Sequence, residues 1–268
     1  MTILSNTTGS MRSRNKPTFV IIGADKGGVG KTTVSRTFID YLSQNGCAVR
    51  AIDTEWPRGG LKRFYPQLTD VVDITQVKNQ IKVFDDSERP VSHVTVIDVR
   101  AGLLSTMLET LRDIGFLDFS NRGHFNLVVL HILGPTIASL DEILGVGTAV
   151  GSANYILVKN FINDTTFFEW QPDTYSRYLN GISGAREIVI PKLNELACEN
   201  VDLAHVPYTQ FIADRNAEGE VATYSFVLRG YIRHWLTQVW AEYDRLGLAE
   251  SLMIPDFRAE PDAPQAPL

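Results

Sequence analysis

The residues Gly23-Ala24-Asp25-Lys26-Gly27-Gly28-Val29-Gly30-Lys31-Thr32-Thr33 carry the densest chemistry in the sequence. Glycines at 27, 28 and 30 let the backbone approach an anion without a Cβ in the way. A helix opening at Lys31 aims unpaired N–H groups at the same point. A lysine closing such a loop reaches the β- and γ-phosphates of a nucleotide, and the hydroxyl after it, on Thr32, holds Mg2+. The flanks supply the context. Phe19-Val20-Ile21-Ile22 is an apolar run suited to a buried strand, and Val34, Phe38, Tyr41 and Leu42 recur at helical spacing. Strand, glycine-rich turn and helix make a phosphate-binding loop, with Gly27, Gly28, Val29, Gly30, Lys31, Thr32 and Thr33 as its lining.

Metal and water chemistry needs carboxylates near that loop. In an open α/β sheet, ligands collect at the carboxyl ends of the strands. Three acids are expected there: Asp53 and Glu55 after Ala48-Val49-Arg50-Ala51-Ile52, and Asp98 after Val94-Thr95-Val96-Ile97. Asp98 reads as the acid that binds Mg2+ directly or through water.

The string Lys26 to Thr33 resembles the deviant Walker A motif of the ParA/MinD family of ATPases. It has two lysines, and Asp25 stands where a phosphate-binding loop usually has glycine. The resemblance implies ATP and Mg2+ as cofactors, and a homodimer formed with ATP in which Lys26 reaches the nucleotide of the partner subunit. It also places Asp53 near Mg2+ and gives Glu55 the orienting of the attacking water. Most relatives carry Asp at the second position. Glutamate is one methylene longer, and because water positioning depends on geometry, the hydrolysis rate stays open between slow turnover and almost none. Val99-Arg100-Ala101-Gly102 is similar to the loop that senses the γ-phosphate. The segment Trp56 to Tyr65, with Arg58, Lys62 and Arg63, is similar to the switch region of MipZ-like members. Asn160 resembles the asparagine that contacts adenine, and Pro207 the proline that covers the base. As residues alone, these two are equally a turn-capping Asn and an ordinary loop Pro.

The elements that must position these groups alternate. Strands are expected over 17–23, 48–53, 94–98, 125–133, 155–160 and 187–191, with a short edge strand at 71–74 and a late strand-to-loop segment at 204–208. Helical spacing covers 31–44, 77–83, 104–111, 139–150, 192–199 and 224–246, the last with Tyr231, Trp235, Val239 and Tyr243 on one stripe. Such alternation predicts an α/β fold, a doubly wound, mostly parallel sheet of the P-loop NTPase kind with helices on both faces. The aromatics between 163 and 182 read as core or interface. Residues 1–16 read as a disordered leader, 17–250 as one ATPase domain and 251–268 as a disordered tail rich in proline.

Bulk properties exclude several classes. A net charge of −6 over 268 residues argues against a uniformly basic nucleic-acid surface. Arg177, Arg186, Arg215, Arg229, Arg233 and Arg245 are scattered candidates for non-specific DNA contact. Cys47 and Cys198 match no metal spacing and are expected as reduced, buried thiols. No apolar run has the length of a membrane span, and the acidic tail is unlike a basic amphipathic anchor, so the expectation is a cytoplasmic protein. The function expected is an ATP-dependent dimerisation switch for plasmid or chromosome segregation or intracellular positioning, with a partner protein that stimulates hydrolysis. The alternatives are an ATPase that positions or assembles a protein machine, or a pseudo-ATPase with little turnover.

Overall fold

The computed structural model describes residues 17–85, 94–134, 136–150, 154–162, 173, 181–182 and 184–252. The first strand, β1 (Thr18–Gly23), is buried along its whole length. Helix α1 (Lys31–Gln44) follows the glycine-rich loop, then β2 (Val49–Asp53), β3 (Thr69–Val71), α2 (Val77–Phe84) and β4 (Val94–Asp98). The chain continues through α3 (Leu104–Asp113), α4 (Phe116–Asn121), β5 (Asn126–Leu133), α5 (Ile137–Val150) and β6 (Asn154–Asn160). It closes with β7 (Arg186–Ile190), α6 (Glu195–Ala204), α7 (Tyr208–Ile212), α8 (Phe226–Arg245) and α9 (Leu248–Leu252).

The seven strands form one sheet in the order β3-β2-β4-β1-β5-β6-β7, and every pairing is parallel. Side chains alternate across a strand, so β1 feeds two cores. Val20 and Ile22 pack with Val34 and Phe38 of α1 and with Trp235, Val239 and Tyr243 of α8. Phe19 and Ile21 face the other side, with Leu104 and Leu108 of α3 and Leu140 and Ile143 of α5. Helices therefore cover both faces, as the alternation predicts. Trp235 and Trp240 meet the cost of burying an indole N–H by donating to the carbonyls of Pro191 at 2.7 Å and Thr37 at 3.1 Å.

Several sequence expectations shift. The edge strand is Thr69–Val71 rather than 71–74, because its register with Ala51 to Asp53 fixes it there. Residues 204–208 form no strand: α6 runs to Ala204, His205 ends it with a left-handed φ of 54°, and Pro207 caps α7. The start of α6 is set by Asn194, whose side chain accepts the Ala197 N–H at 3.1 Å, so the short helix begins after Lys192. Tyr231 is exposed, and the buried stripe of α8 runs instead through Ile232, Trp235, Leu236, Val239 and Tyr243. Strict spacing by four drifts off a helical face, whereas mixed threes and fours stay on it. Ser251 and Leu252 belong to α9, with Leu252 buried. Cys47 is half-buried and Cys198 exposed, not both buried. The aromatics at 167–178, Arg177, and the ends at 1–16 and 253–268 lie outside the described residues. Among the described residues, no helix is long and apolar enough to cross a membrane.

Candidate nucleotide site

The glycine-rich loop leaves the carboxyl end of β1, near the middle of the sheet. Gly28 and Gly30 take φ values of 73° and 86°, which L side chains rarely adopt, and Gly30 caps α1 with no side chain of its own. The first turn of α1 thus presents free N–H groups to the space above the loop. Lys31 folds back, its Nζ donating to the Lys26 carbonyl at 3.1 Å. Partial burial pulls its ammonium below the usual lysine range, while Asp98, Glu55, Glu142 and Asp25 act the other way.

Asp98 and Asp53 are register partners at the ends of β4 and β2, and both are buried. Thr32 Oγ1 donates to Asp98 Oδ2 at 2.9 Å, and Ser35 Oγ donates to Oδ1 at 3.0 Å. Burial, with the neighbouring Asp53, pushes the Asp98 carboxyl up to about 7 against the pull of Thr32, Ser35 and Lys31. A hydroxyl and two carboxylates in one place are the hard oxygen donors that Mg2+ accepts. Among the described residues, no group of three or more His, Cys, Asp or Glu forms a metal cage.

Asp53 has a further task. Its Oδ1 accepts the Glu55 N–H at 2.9 Å, and its Oδ2 accepts those of Leu61 at 2.7 Å and Lys62 at 3.3 Å. The carboxylate therefore shapes the loop that carries Glu55. A Cβ at Gly60 would sit 3.1 Å from Glu55 Oε2 and 3.6 Å from Thr32 Oγ1, so the loop folds Glu55 toward the Thr32 hydroxyl. Thr54 joins this loop to the one after β4: its N–H donates to the Asp98 carbonyl at 3.1 Å, and its Oγ1 accepts the Arg100 N–H at 2.8 Å.

Lys26 leaves the phosphate loop altogether. Its Nζ donates to Thr136 Oγ1 at 2.5 Å, on the turn between β5 and α5. Asp25, the residue in place of glycine, accepts the Ser105 N–H at 3.1 Å and its hydroxyl. Ser105 lies in the first turn of α3, whose own capping residue, Leu103, offers no side-chain acceptor. Asp25 thus caps α3 from a distance and ties the phosphate loop to the Gly102 turn.

Asn160 reaches the loop from β6, donating to the Val29 carbonyl at 2.8 Å, and a side chain at Gly30 would collide with it. Pro207 stands farther along, at the start of α7, and its segment meets α1 rather than the phosphate loop. The structure thus gathers Lys31, Thr32, Asp53, Glu55, Asp98 and Asn160 around one loop. Sequence reading missed Ser35, although it lies one turn beyond Thr32 on the same helix, which spacing could have shown. Thr54, Ser105 and Thr136 had no sequence signal, because only the fold brings them near.

No family model and no curated protein matches the chain. Solved structures do. The septum site-determining protein MinD from Pyrococcus horikoshii, complexed with Mg-ADP, superimposes with a TM-score of 0.53 at 17% identity, over 86% of this chain and 97% of that one. A ParA family ATPase from Chlorobium tepidum gives a TM-score of 0.50 at 12% identity, over 83% and 98%. The fold is that of ParA and MinD. On this ParA/MinD-like fold, the double-lysine loop lies at the carboxyl end of the central strand, where β1 is paired with both β4 and β5.

Proposed function

We propose that the protein is an ATPase switch of the ParA/MinD kind, which binds Mg-ATP, pairs face to face with a second copy, and resets on hydrolysis. The observation that carries this is the division of labour between the two lysines: Lys31 stays on its own loop, and Lys26 projects away to Thr136. In the working state Lys31 and the amides of Gly27 to Thr33 hold the phosphates. Thr32 and Asp98 hold Mg2+, with Asp53 beside them. When bound, Mg2+ would offset the negative charge of the phosphates. Glu55 orients a water, its loop held in place by the hydrogen bond from the Glu55 N–H to Asp53. Asn160 lies beside the adenine, and Lys26 crosses to the partner subunit's nucleotide.

Light scattering tests this reading. Dimers are expected with Mg-ATP and not with Mg-ADP, lost in Lys31→Ala because nucleotide no longer binds, and lost in Lys26→Ala although nucleotide does. Monomers in saturating Mg-ATP overturn it. The cargo is either DNA, for segregation, or a protein machine in the cytoplasm. Arg186, Arg215, Arg229 and Arg245 each donate to a backbone carbonyl of their own chain, which favours a protein partner over an open basic surface. DNA retardation that needs ATP and weakens steeply with salt would select segregation instead.

A further inference from the structure

The turn that leaves β4 after Asp98 is fastened to both loops of the site. Val99 donates its N–H to the Ile22 carbonyl of β1 at 2.8 Å, at the root of the phosphate loop. Arg100 donates its N–H to Thr54 Oγ1 at 2.8 Å, on the Glu55 loop. The Leu103 N–H closes the turn on the Arg100 carbonyl at 3.2 Å, with Gly102 at a φ of 79°. Asp25 of the phosphate loop then holds Ser105 by its N–H and its hydroxyl. The turn also lies against that loop directly: a Cβ at Gly27 would sit 3.9 Å from Ala101 Cβ.

On this clasped turn Arg100 is exposed, and its guanidinium makes no hydrogen bond or ion pair with another described residue. Asp73 is within electrostatic reach, yet its carboxylate accepts from Thr75 and Gln76 instead. Residues two apart in the chain lie within about 7 Å, Cα to Cα, so Arg100 starts close to the Asp98 floor. An arginine side chain is long enough to cover that span. A fixed backbone, a free planar cation and a neighbouring phosphate cradle therefore meet at one place.

We propose that Arg100 is a catalytic residue of its own subunit's site, its guanidinium binding the γ-phosphoryl oxygens as phosphoryl transfer proceeds. This rests on the ATPase reading above. The oxygen of water bonds to the γ-phosphorus, the bond from that phosphorus to the β,γ-bridging oxygen breaks, and ADP leaves with the electron pair. One proton of the water passes to a phosphoryl oxygen, so the products are ADP and dihydrogen phosphate. Arg100 keeps its own protons throughout and supplies charge and a planar pair of donors. The clasps of the turn run to its own Thr54 and Asp25, which puts the guanidinium on its own subunit's nucleotide.

Mg-ADP with aluminium fluoride imitates the transferring phosphoryl group, and Mg-ATP the ground state. In Arg100→Ala, kcat should fall about a hundredfold with KM within about threefold. Calorimetry should show affinity for the fluoride complex falling about as far, and affinity for Mg-ATP within about threefold of the wild type. Arg100→Lys keeps the charge without the fork and should recover part of both. Added guanidinium ion should restore part of the Arg100→Ala turnover. Should Arg100→Ala fail to fold, Thr54→Val loosens the turn without removing the guanidinium and should lose part of the affinity for the fluoride complex. Equal weakening of the fluoride complex and of Mg-ATP in Arg100→Ala overturns the proposal. Hydrolysis as fast in Arg100→Ala as in the wild type overturns it too, and leaves the ATPase reading standing. A wild type that does not bind Mg-ATP overturns both together.

Discussion

Asp98 and Asp53 end neighbouring parallel strands in matching register, yet the chain uses the two carboxylates in opposite ways. Asp98 accepts from two side-chain hydroxyls, Thr32 and Ser35. A hydroxyl rotates, so these bonds can be exchanged for a metal ion at little structural cost. Asp53 accepts from three backbone amides, of Glu55, Leu61 and Lys62. A backbone amide cannot turn away without moving the chain. The floor of the site is therefore built for exchange of ligands, and the loop above it for fixed geometry. Identity and strand position alone would make the two acids equivalent; their donors distinguish them.

Asp98→Asn strikes the exchangeable side and should have the largest effect. The amide cannot supply the charge Mg2+ needs, so ATP turnover should fall by about a thousandfold, and chelation of Mg2+ in the wild type should do the same. Steady-state phosphate release checks both. Turnover that is insensitive to chelator would break the assignment of the floor to the metal.

Glu55→Ala should come next. Removing the water-orienting group costs on the order of a hundredfold in kcat while leaving nucleotide affinity nearly intact. ATP-bound dimers should then persist for longer in light scattering. An unchanged hydrolysis rate would mean that the loop, however well held, carries no water chemistry.

Asp53→Ala sharpens the contrast itself. It leaves three amide donors without their acceptor, a loss of about 1–3 kcal/mol. Exchange at Leu61 and Lys62 should accelerate and the thermal midpoint should fall, with Mg-ATP affinity reduced less than in Asp98→Asn. If Asp53→Ala abolishes nucleotide binding as completely as Asp98→Asn, the two acids share one role.

How far the sequence showed this follows from what each residue's neighbours are. The phosphate loop was legible because its parts are consecutive: apolar strand, glycines, lysine, threonine and helix are read as one string. The position of Asp98 was legible because an acid closing an apolar strand is a local pattern, and a mostly parallel sheet because strands alternate with helices. The short elements were not. His205 ends α6 in a left-handed turn and Pro207 opens α7, so a Val-Pro-Tyr string that reads as a strand is a helix boundary. The roles of Asp53, Asp25 and Lys26 depend on Leu61, Ser105 and Thr136, partners that only the folded chain brings near. Asp25 in particular read as a departure from the motif, and the structure gives it a cap to fill on α3.

The Glu55 loop ends on a third buried carboxylate, Asp40, which lies within α1 about two turns beyond Thr32. Burial pushes its carboxyl up to about 6 from an ordinary 3.8, against the pull of Tyr65, Thr209 and Arg36. The folded-state value is the higher one, so between about 4 and about 6 the native protein holds a proton that the unfolded chain has lost. Asp40 therefore contributes stability at the acid end of this window and loses it as pH rises through the folded value. The slope is at most about 1.4 kcal/mol per pH unit. Other acids tilt the curve the opposite way, so the measurement is a difference: urea midpoints of the wild type and Asp40→Asn at pH 4.5 and 6.5. The substitution is tolerable, because Tyr65 can donate instead to the Arg36 carbonyl, 3.0 Å away, and the new amide can still accept from Thr209. The wild type should lose stability relative to Asp40→Asn as pH rises. A gap that stays constant would mean that Asp40 remains charged across the window and anchors the loop as a carboxylate rather than as a protonated acid.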